Sequence, residues 1–153
     1  MADKTKDAAR VTPYLYYENV ERALRWLEDV FGFRERKAET MRGPDGTIQH
    51  TAADLPDGGL ILLGRPSGDY KNPKRLGQTT QNLYVHVDDV NAHFERAKGT
   101  GAKLLSGLED TFYGDRRYGI EDLEGHHWYF AQTIEKVDPK AWRPTEEQMK
   151  GHG

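Results

Sequence analysis

The chain has 153 residues, a formal net charge of −3 and no cysteine. This length fits one domain with a hydrophobic core, and the small net charge gives no electrostatic basis for binding nucleic acid or a membrane surface. The absence of cysteine excludes disulfide bonds and thiolate catalysis. No apolar run is long enough for a transmembrane helix, and the N-terminus lacks the apolar stretch of a signal peptide, so we expect a cytoplasmic protein.

The first part of the chain contains the signals of four strands and one helix. Residues up to Arg10 are predicted to form a loose charged arm, and residues 11–17 are expected to be a strand. Asn19 is a predicted N-cap of the following helix, and Gly32 is its predicted C-cap. Three further strands are predicted at residues 33–41, 47–54 and 59–64. A turn at residues 43–46 is predicted between the first two of them.

The same order of elements then occurs a second time. Residues 65–80 are polar and rich in Gly, Pro and Lys, which predicts a linker or a mobile flap. A strand at 81–87 and a helix from Val90 follow, and the last three strands are expected at 103–105, 116–121 and 127–132. One unit is thus used twice, as modules 11–64 and 81–132, and residues 133–153 form a C-terminal extension.

The last two predicted strands form a hairpin with two different faces. The Asp-Leu-Glu-Gly segment at 122–125 has turn chemistry. In the strand after it, Trp128 and Phe130 point to one face, and His127 and Tyr129 point to the other. The first face is expected to enter the core, and the second to form a polar, aromatic surface.

Two segments carry a resemblance to a known family. They are YYENVERALRWLEDVFGF at 16–33 and DRRYGIEDLEGHHW at 115–128. Both are similar to the vicinal oxygen chelate superfamily, and the second resembles its glyoxalase-like, bleomycin-resistance-like branch. The resemblance covers nearly all of residues 11–132. It implies an α+β fold with two βαβββ modules, whose sheets curve around a shared cavity, and it implies a homodimer, in which modules are sometimes exchanged.

Enzymes that the chain resembles hold a divalent metal through four side chains, usually His, Glu or Gln. The resemblance places those positions at Thr12, Leu62, Asn82 and Tyr129. A leucine cannot bind a metal ion, and the other three are poor ligands. We therefore expect no metal ion and no cofactor. A metal-dependent alternative would need the other nearby donors, His50, His86, His127 and Glu121.

The aromatic residues fall into two predicted sets. The core set is Trp26, Phe31, Phe94, Trp128 and Phe130. The second set lies on the concave face by strand parity and comprises Tyr14, Tyr16, Tyr84, His86, His127 and Tyr129. Rings with polar tips suit planar ligands.

Arg117 is a candidate to hold an anionic group of the ligand, although Arg116 and Arg117 are more simply explained by pairing with acidic neighbours. His93 and His126 are expected on the surface.

These observations predict a glyoxalase/bleomycin-resistance-like protein that binds a small aromatic or drug-like molecule in a metal-free cavity, with resistance by sequestration as one use. The alternatives are a metal-dependent lyase, isomerase or dioxygenase with non-standard ligands, and a regulatory protein with a vestigial cavity. The expected partners are a small molecule and a second copy of the chain, not nucleic acid or a membrane. Trp142 is expected to dock on the body of the dimer, and residues 149–153 are expected to fray.

Overall fold

The computed structural model describes residues 9–150. The chain divides into two compact units, one ending at Asn72 and the other starting at Pro73. We call them the N-terminal and C-terminal modules. Their boundary lies inside the predicted linker. Within the described range, no helix combines the length and the apolar character needed to span a bilayer.

The N-terminal module consists of a helix, α1 (Val20–Phe31), and a five-stranded sheet. The strands are β1 (Tyr14–Tyr16), β2 (Arg34–Glu35), β3 (Met41–Arg42), β4 (Ile48–Asp54) and β5 (Leu60–Gly64). Their order is β1-β5-β4-β2, and β3 also pairs with β4. Strand β1 runs parallel to β5, and the other pairs are antiparallel.

Local chemistry explains the ends of α1. The Asn19 side chain accepts a hydrogen bond from the Arg22 backbone N–H at 3.0 Å, which satisfies a donor that the first helical turn leaves unpaired. Gly32 ends the helix with a φ of 73°, a left-handed conformation that glycine adopts without a steric cost. Between these caps, apolar residues at helical spacing are buried, namely Val20, Ala23, Leu24, Leu27, Val30 and Phe31. Both predicted caps are confirmed.

The prediction of one strand over residues 33–41 is wrong. The chain forms the short strands β2 and β3, with a 3₁₀ turn at Lys37–Glu39 between them. The Glu35 carboxylate, whose side chain is only 7 % exposed, accepts hydrogen bonds from the Thr40 hydroxyl at 2.6 Å and from Arg25 at 3.0 Å. These bonds fold the charged segment back on itself, and that segment has no alternating apolar residues to hold it in a continuous strand.

The C-terminal module repeats the same order around a four-stranded sheet. Its elements are α2 (Pro73–Leu76), β6 (Asn82–His86), α3 (Val90–Gly99), β7 (Leu104–Asp110), β8 (Asp115–Glu121), β9 (His127–Thr133) and α4 (Glu146–Met149). The strand order is β6-β9-β8-β7, with β6 parallel to β9. Strand β7 is longer than predicted, because two register shifts let pairing continue past Ser106. The predicted α+β fold with two curved sheets is confirmed.

The hairpin between β8 and β9 contains the turn that the sequence predicts. One Asp122 carboxylate oxygen accepts from the backbone N–H groups of Glu124 and His126, each at 3.0 Å. The other oxygen accepts from the Trp128 indole N–H at 3.1 Å. Trp128 and Phe130 are fully buried, which confirms that they enter the core. The turn is therefore tied to the core through a charge-assisted hydrogen bond.

His93 was predicted on the surface, and this is wrong. Its ring is half-buried and stacks on Phe130 with ring centroids 4.0 Å apart. Its Nδ1 atom is also hydrogen-bonded to the hydroxyl of Tyr118, which is fully buried. His93 therefore belongs to the interface between α3 and the sheet. His126 is also only partly exposed.

The C-terminal extension crosses its own module. It includes a 3₁₀ turn at Pro139–Ala141 and the short helix α4. The predicted fraying begins at Met149, but Met149 is the last residue of α4. The rest of that prediction, at residues 151–153, lies outside the described residues, as does most of the predicted N-terminal arm.

Candidate functional site

The C-terminal sheet has one face that turns away from α3, which we call the open face. Strand register places Tyr84 and Gly119 on either side of Tyr129, and it pairs Arg117 with Ala131. Trp128 and Phe130 pack toward α3, so their neighbours in sequence point the opposite way. The predicted residues of this module share the open face, namely Tyr84, His86, Arg117, His127 and Tyr129.

A buried carboxylate organises one end of the open face. Asp115 accepts hydrogen bonds from the Tyr84 hydroxyl at 2.8 Å and the Thr133 hydroxyl at 2.9 Å. The Tyr113 hydroxyl lies 2.9 Å from that of Tyr84, and the exposed His86 ring approaches Asp115 at 3.6 Å. Burial and the hydrogen bonds with Tyr113 and Asp115 raise the pKa of Tyr84. Tyr84 therefore stays protonated and acts as a fixed donor, not as an acid or a nucleophile.

Arg117 and Tyr129 form the floor at the centre of the open face. The Arg117 guanidinium lies 5.1 Å from the centroid of the Tyr129 ring, within the range of a cation–π contact. Its Nε donates to Glu109 at 3.0 Å, and only 12 % of its side chain is exposed. Arg116 similarly donates to Asp110 at 2.7 Å. The simpler sequence interpretation of both arginines, pairing with acidic neighbours, is therefore confirmed.

A cavity of about 510 Å³ opens above this floor. Arg117 and Tyr129 line it together with Phe112 and Tyr113 from the loop before β8. The C-terminal extension supplies a further wall with Glu147, Gln148 and Lys150. We call this space the open-face cavity. The sequence interpretation missed the two loop aromatics, although adjacent aromatic residues in a turn, outside any apolar repeat, were a usable signal.

His127 lies elsewhere on the open face. Its Nε2 atom is 3.2 Å from Glu121, whose other oxygen is 3.2 Å from the Lys103 ammonium. Partial burial opposes ionisation of Glu121, but the hydrogen bonds with Lys103 and His127 outweigh it and lower the pKa of Glu121. His127 Nδ1 is buried, and the described residues offer it no hydrogen-bond partner. Of the predicted site residues on the open face, Arg117 and Tyr129 line the open-face cavity, whereas Tyr84, His86 and His127 do not.

The N-terminal module carries a separate aromatic cluster. The Tyr14 hydroxyl is hydrogen-bonded to His50 Nδ1 at 2.8 Å. The Tyr14 and Tyr16 rings meet edge-on, 5.6 Å apart, and Tyr16 meets Tyr70 at 5.9 Å. Tyr14 and Tyr16 are 46 % and 49 % exposed. The structure thus joins the two predicted tyrosines with Tyr70, a linker residue that the sequence interpretation had not assigned to a site.

A larger cavity, of about 650 Å³, lies beside the start of α1 in the N-terminal module. Its lining is charged and contains no aromatic residue; Glu21 is paired with Arg42 at 2.9 Å. The helix end that faces it is already capped by Asn19. These features describe an open, mostly charged groove between surface ion pairs, so we do not assign the functional site there.

The four positions that correspond to the family's metal ligands do not fit a metal ion. Leu62 offers only hydrocarbon, and the Tyr129 ring is covered by Arg117, whose charge repels a cation. Of the alternative donors, His50 is bonded to Tyr14 and His127 to Glu121. Across residues 9–150, no three His, Asp or Glu side chains are grouped closely enough to hold a metal.

Comparison with known proteins identifies the family. The model of the Glyoxalase/Bleomycin resistance protein/Dioxygenase superfamily matches residues 9–130. The chain belongs to this superfamily. The resemblance of residues 16–33 and 115–128 is thereby confirmed. The match ends at residue 130, so the C-terminal extension lies beyond the part of the chain that defines the superfamily.

Several relatives share most of this chain. The uncharacterized protein Mb0911c of Mycobacterium bovis is 30% identical over 133 residues, 84% of this chain and 86% of its own length. The crystal structure of TioX from Micromonospora sp. ML1 is 35% identical with a TM-score of 0.66, and the match covers 83% of this chain and all of TioX. The fosfomycin resistance protein FosX of Listeria monocytogenes, at 11% identity and a TM-score of 0.59, shares the fold over 89% of this chain and 98% of its own.

Proposed function

We propose that this protein binds a small planar aromatic molecule in the open-face cavity, without a metal ion and without converting the molecule. The observation that carries the proposal is the floor made by Arg117 and Tyr129. A cavity of about 510 Å³ lies above it, and sites for small molecules span roughly 300–1,000 Å³. Resistance to an aromatic compound by sequestration, in a cytoplasmic homodimer, is the use that we propose for such binding.

Ring stacking supplies the affinity in this proposal. Phe112 and Tyr113 present rings in the wall, and the planar Arg117 guanidinium, which covers the buried Tyr129 ring, lies in the floor. Each aromatic pair adds about 0.5–1.5 kcal/mol beyond the burial of its area. Two such ring contacts, together with stacking on the guanidinium and the buried apolar area, support micromolar affinity for a ligand of this size.

The hydroxyl groups of Tyr113 and Ser106, which line the cavity, are not activated as nucleophiles. A nucleophile needs an adjacent base that lowers its pKa or takes its proton. The Tyr113 hydroxyl meets Tyr84, whose pKa is raised, and Ser106 Oγ accepts a hydrogen bond from the Gly119 backbone N–H at 3.0 Å. Neither hydroxyl is therefore paired with a base. We expect the ligand to be released unchanged.

Calorimetry with a panel of planar aromatic compounds, including aromatic antibiotics, tests the proposal. Tyr129→Ala is expected to weaken binding about tenfold, which corresponds to roughly 1.4 kcal/mol. Tyr129→Phe retains the ring and should bind like the wild type. Glu95→Ala is the control, because Glu95 is exposed on α3, on the other side of the sheet. His93→Ala is unsuitable as a control, since His93 packs on Phe130.

The same samples distinguish binding from catalysis. Mass spectrometry of the released compound should recover its original mass. Equal loss of affinity in Tyr129→Ala and Glu95→Ala would show that the open face is not the binding surface. A changed compound would show that the protein is an enzyme.

A further inference from the structure

Two tyrosine hydroxyls connect the Asp115 carboxylate to the open-face cavity. The Tyr84 hydroxyl donates to Asp115 Oδ2 at 2.8 Å, and the Tyr113 hydroxyl lies 2.9 Å from the Tyr84 oxygen. Tyr113 lines the cavity, whereas Tyr84 and Asp115 do not. This series of hydrogen bonds therefore begins at a carboxylate outside the cavity and ends at a residue of its wall.

Asp115 fixes the direction of the first hydrogen bond in the series. Only 9 % of its side chain is exposed, and its other oxygen accepts from the Thr133 hydroxyl at 2.9 Å. An ionised carboxylate has no hydrogen to donate, so the Tyr84 proton must point to Asp115. A hydrogen bond to a charged acceptor is also stronger than one between two neutral hydroxyls, which favours this direction further.

The direction at Tyr84 decides the direction at Tyr113. Each phenol carries a single proton, and Tyr84 uses its own toward Asp115. The contact between the two hydroxyls must therefore use the proton of Tyr113. The Tyr113 oxygen keeps its acceptor capacity but has no hydrogen left to donate to a ligand.

Ring contacts hold Tyr113 in this position. Phe112 meets it edge-on, with ring centroids 5.1 Å apart. Trp142, from the C-terminal extension, contacts Phe112 at 5.6 Å and Tyr113 at 6.0 Å. The expectation that Trp142 docks is thus met within its own module. A ligand in the cavity meets a tyrosine whose ring and hydroxyl are both held in place.

We infer that Tyr113 is a specificity residue that accepts a hydrogen bond from the ligand, so that the site prefers planar aromatic molecules with an N–H or O–H donor at the ring edge. The inference rests on the proposed function, and it adds a ligand class that is defined by hydrogen bonding and not by net charge. Tyr84 and Asp115 act as positioning residues from outside the cavity.

Three tricyclic probes of nearly the same outline test the inference. Carbazole has an N–H donor in its central ring, dibenzofuran has an oxygen acceptor there, and fluorene has a methylene group. Equilibrium dialysis, with each probe measured by chromatography, gives the three affinities. Wild type should bind carbazole about fivefold more tightly than fluorene, the effect of one net hydrogen bond. It should not prefer dibenzofuran to fluorene.

Tyr113→Phe removes the acceptor and keeps the ring. The preference for carbazole over fluorene should disappear, and fluorene should still bind to the retained ring. Tyr14→Phe is the matched control, because it removes a hydrogen-bonded phenol oxygen from the N-terminal module and should keep the preference. A preference that survives in Tyr113→Phe would mean that another acceptor, such as Glu109, holds the N–H group, and it would overturn the inference.

Tyr84→Phe and Asp115→Asn test the direction of the series from outside the cavity. Without the Tyr84 oxygen, Tyr113 can turn its proton to the ligand, so dibenzofuran should gain about twofold relative to fluorene. The amide of Asp115→Asn both donates and accepts, so the direction is no longer enforced and the preference for carbazole should fall. Wild-type preferences in Tyr84→Phe would overturn the role of the direction, and this variant decides the question if Asp115→Asn fails to fold.

The outcomes separate the inference from the proposed function. If wild type shows no preference among the three probes while Tyr129→Ala loses affinity for the aromatic panel, the inference is overturned and the proposed function stands. If wild type binds neither the probes nor any compound of the panel, both are overturned. A preference for carbazole that is lost in Tyr113→Phe and kept in Tyr14→Phe supports both.

Discussion

The ring of Tyr129 lies against the α-carbon of Gly119 on the neighbouring strand. A Cβ at Gly119 would be 2.7 Å from Tyr129 Cε1 and 3.2 Å from Ser106 Oγ. The two residues are paired in the register of β8 and β9. Gly119 has no positive φ, so close approach of the ring, not backbone conformation, requires glycine here. The floor of the open-face cavity therefore depends on this glycine.

Gly119→Ala should displace the Tyr129 ring and lower the free energy of unfolding by about 1–3 kcal/mol, as overpacking in other proteins does. Urea denaturation measures the change. Gly107→Ala is the matched control, because Gly107 lies in the exposed strand β7 with open space around it and should change stability by less than about 0.5 kcal/mol. Equal stability of Gly119→Ala and wild type would mean that the ring is free to move.

Glu35 is expected to make stability depend on pH. The hydrogen bond from Thr40 and, after it, the hydrogen bond from Arg25 lower the pKa of Glu35 below its ordinary value of 4.5. A carboxyl whose pKa is lower in the folded state stabilises the fold above its unfolded pKa, and this contribution disappears as the pH falls through the folded value. Glu35→Gln should therefore cost about 1–3 kcal/mol at pH 7 and almost nothing at a pH below the lowered pKa that Glu35 has in the folded state.

Urea denaturation of Glu35→Gln and wild type at neutral and strongly acidic pH measures this difference. Glu39→Gln is the control, since its side chain is 47 % exposed and pairs only with the exposed Arg36 among the described ion pairs. It should change stability by less than about 1 kcal/mol at either pH. A penalty for Glu35→Gln that persists in acid would point to packing, not charge, as the origin of its effect.

The elements that the sequence predicted correctly are those set by local chemistry. Asn19 and Gly32 mark the ends of α1 because caps satisfy groups within one turn. Strand parity placed Trp128 and Tyr129 on opposite faces, because side chains alternate in any extended strand. The same rule put the five predicted residues of the C-terminal module on one face.

The errors arise where tertiary contacts decide the structure. His93 is polar, yet it lies three residues after Val90 and four before Ala97, which is the spacing of the buried face of α3. The prediction that His93 lies on the surface used the polarity of histidine and not its spacing from Val90 and Ala97. Strand alternation predicts which face of the sheet a side chain lies on, but it does not predict which residues of that face line the same cavity. Tyr129 and Arg117 meet Phe112 and Tyr113 through a loop whose conformation no repeat pattern specifies.

The sheet edges lead to a prediction about assembly. Among the described residues, β1 pairs with β5 alone and β6 with β9 alone, so each module ends in a strand with one unpaired side. Such edges expose backbone groups that are usually covered, and symmetric pairing of two chains covers them. We expect light scattering at micromolar concentration to give twice the chain mass of 17.5 kDa. The mass of one chain at that concentration would contradict the dimer.

The last prediction concerns metal content. Leu62 has no donor atom, Asn82 and Thr12 are neutral, and Tyr129 lies under the positive charge of Arg117. A divalent ion at these four positions would need carboxylate or imidazole ligands. We expect elemental analysis, after purification without chelator, to find far less than one Zn, Ni, Fe or Mn per chain. About one metal ion per chain would contradict this expectation and favour the metal-dependent alternative.

His127→Ala would then be the first variant to analyse. The Nδ1 atom of His127 has no hydrogen-bond partner in residues 9–150, and an imidazole nitrogen of this kind can bind a metal. Loss of the ion in that variant, with its fold intact, would place the metal at His127 and away from the open-face cavity.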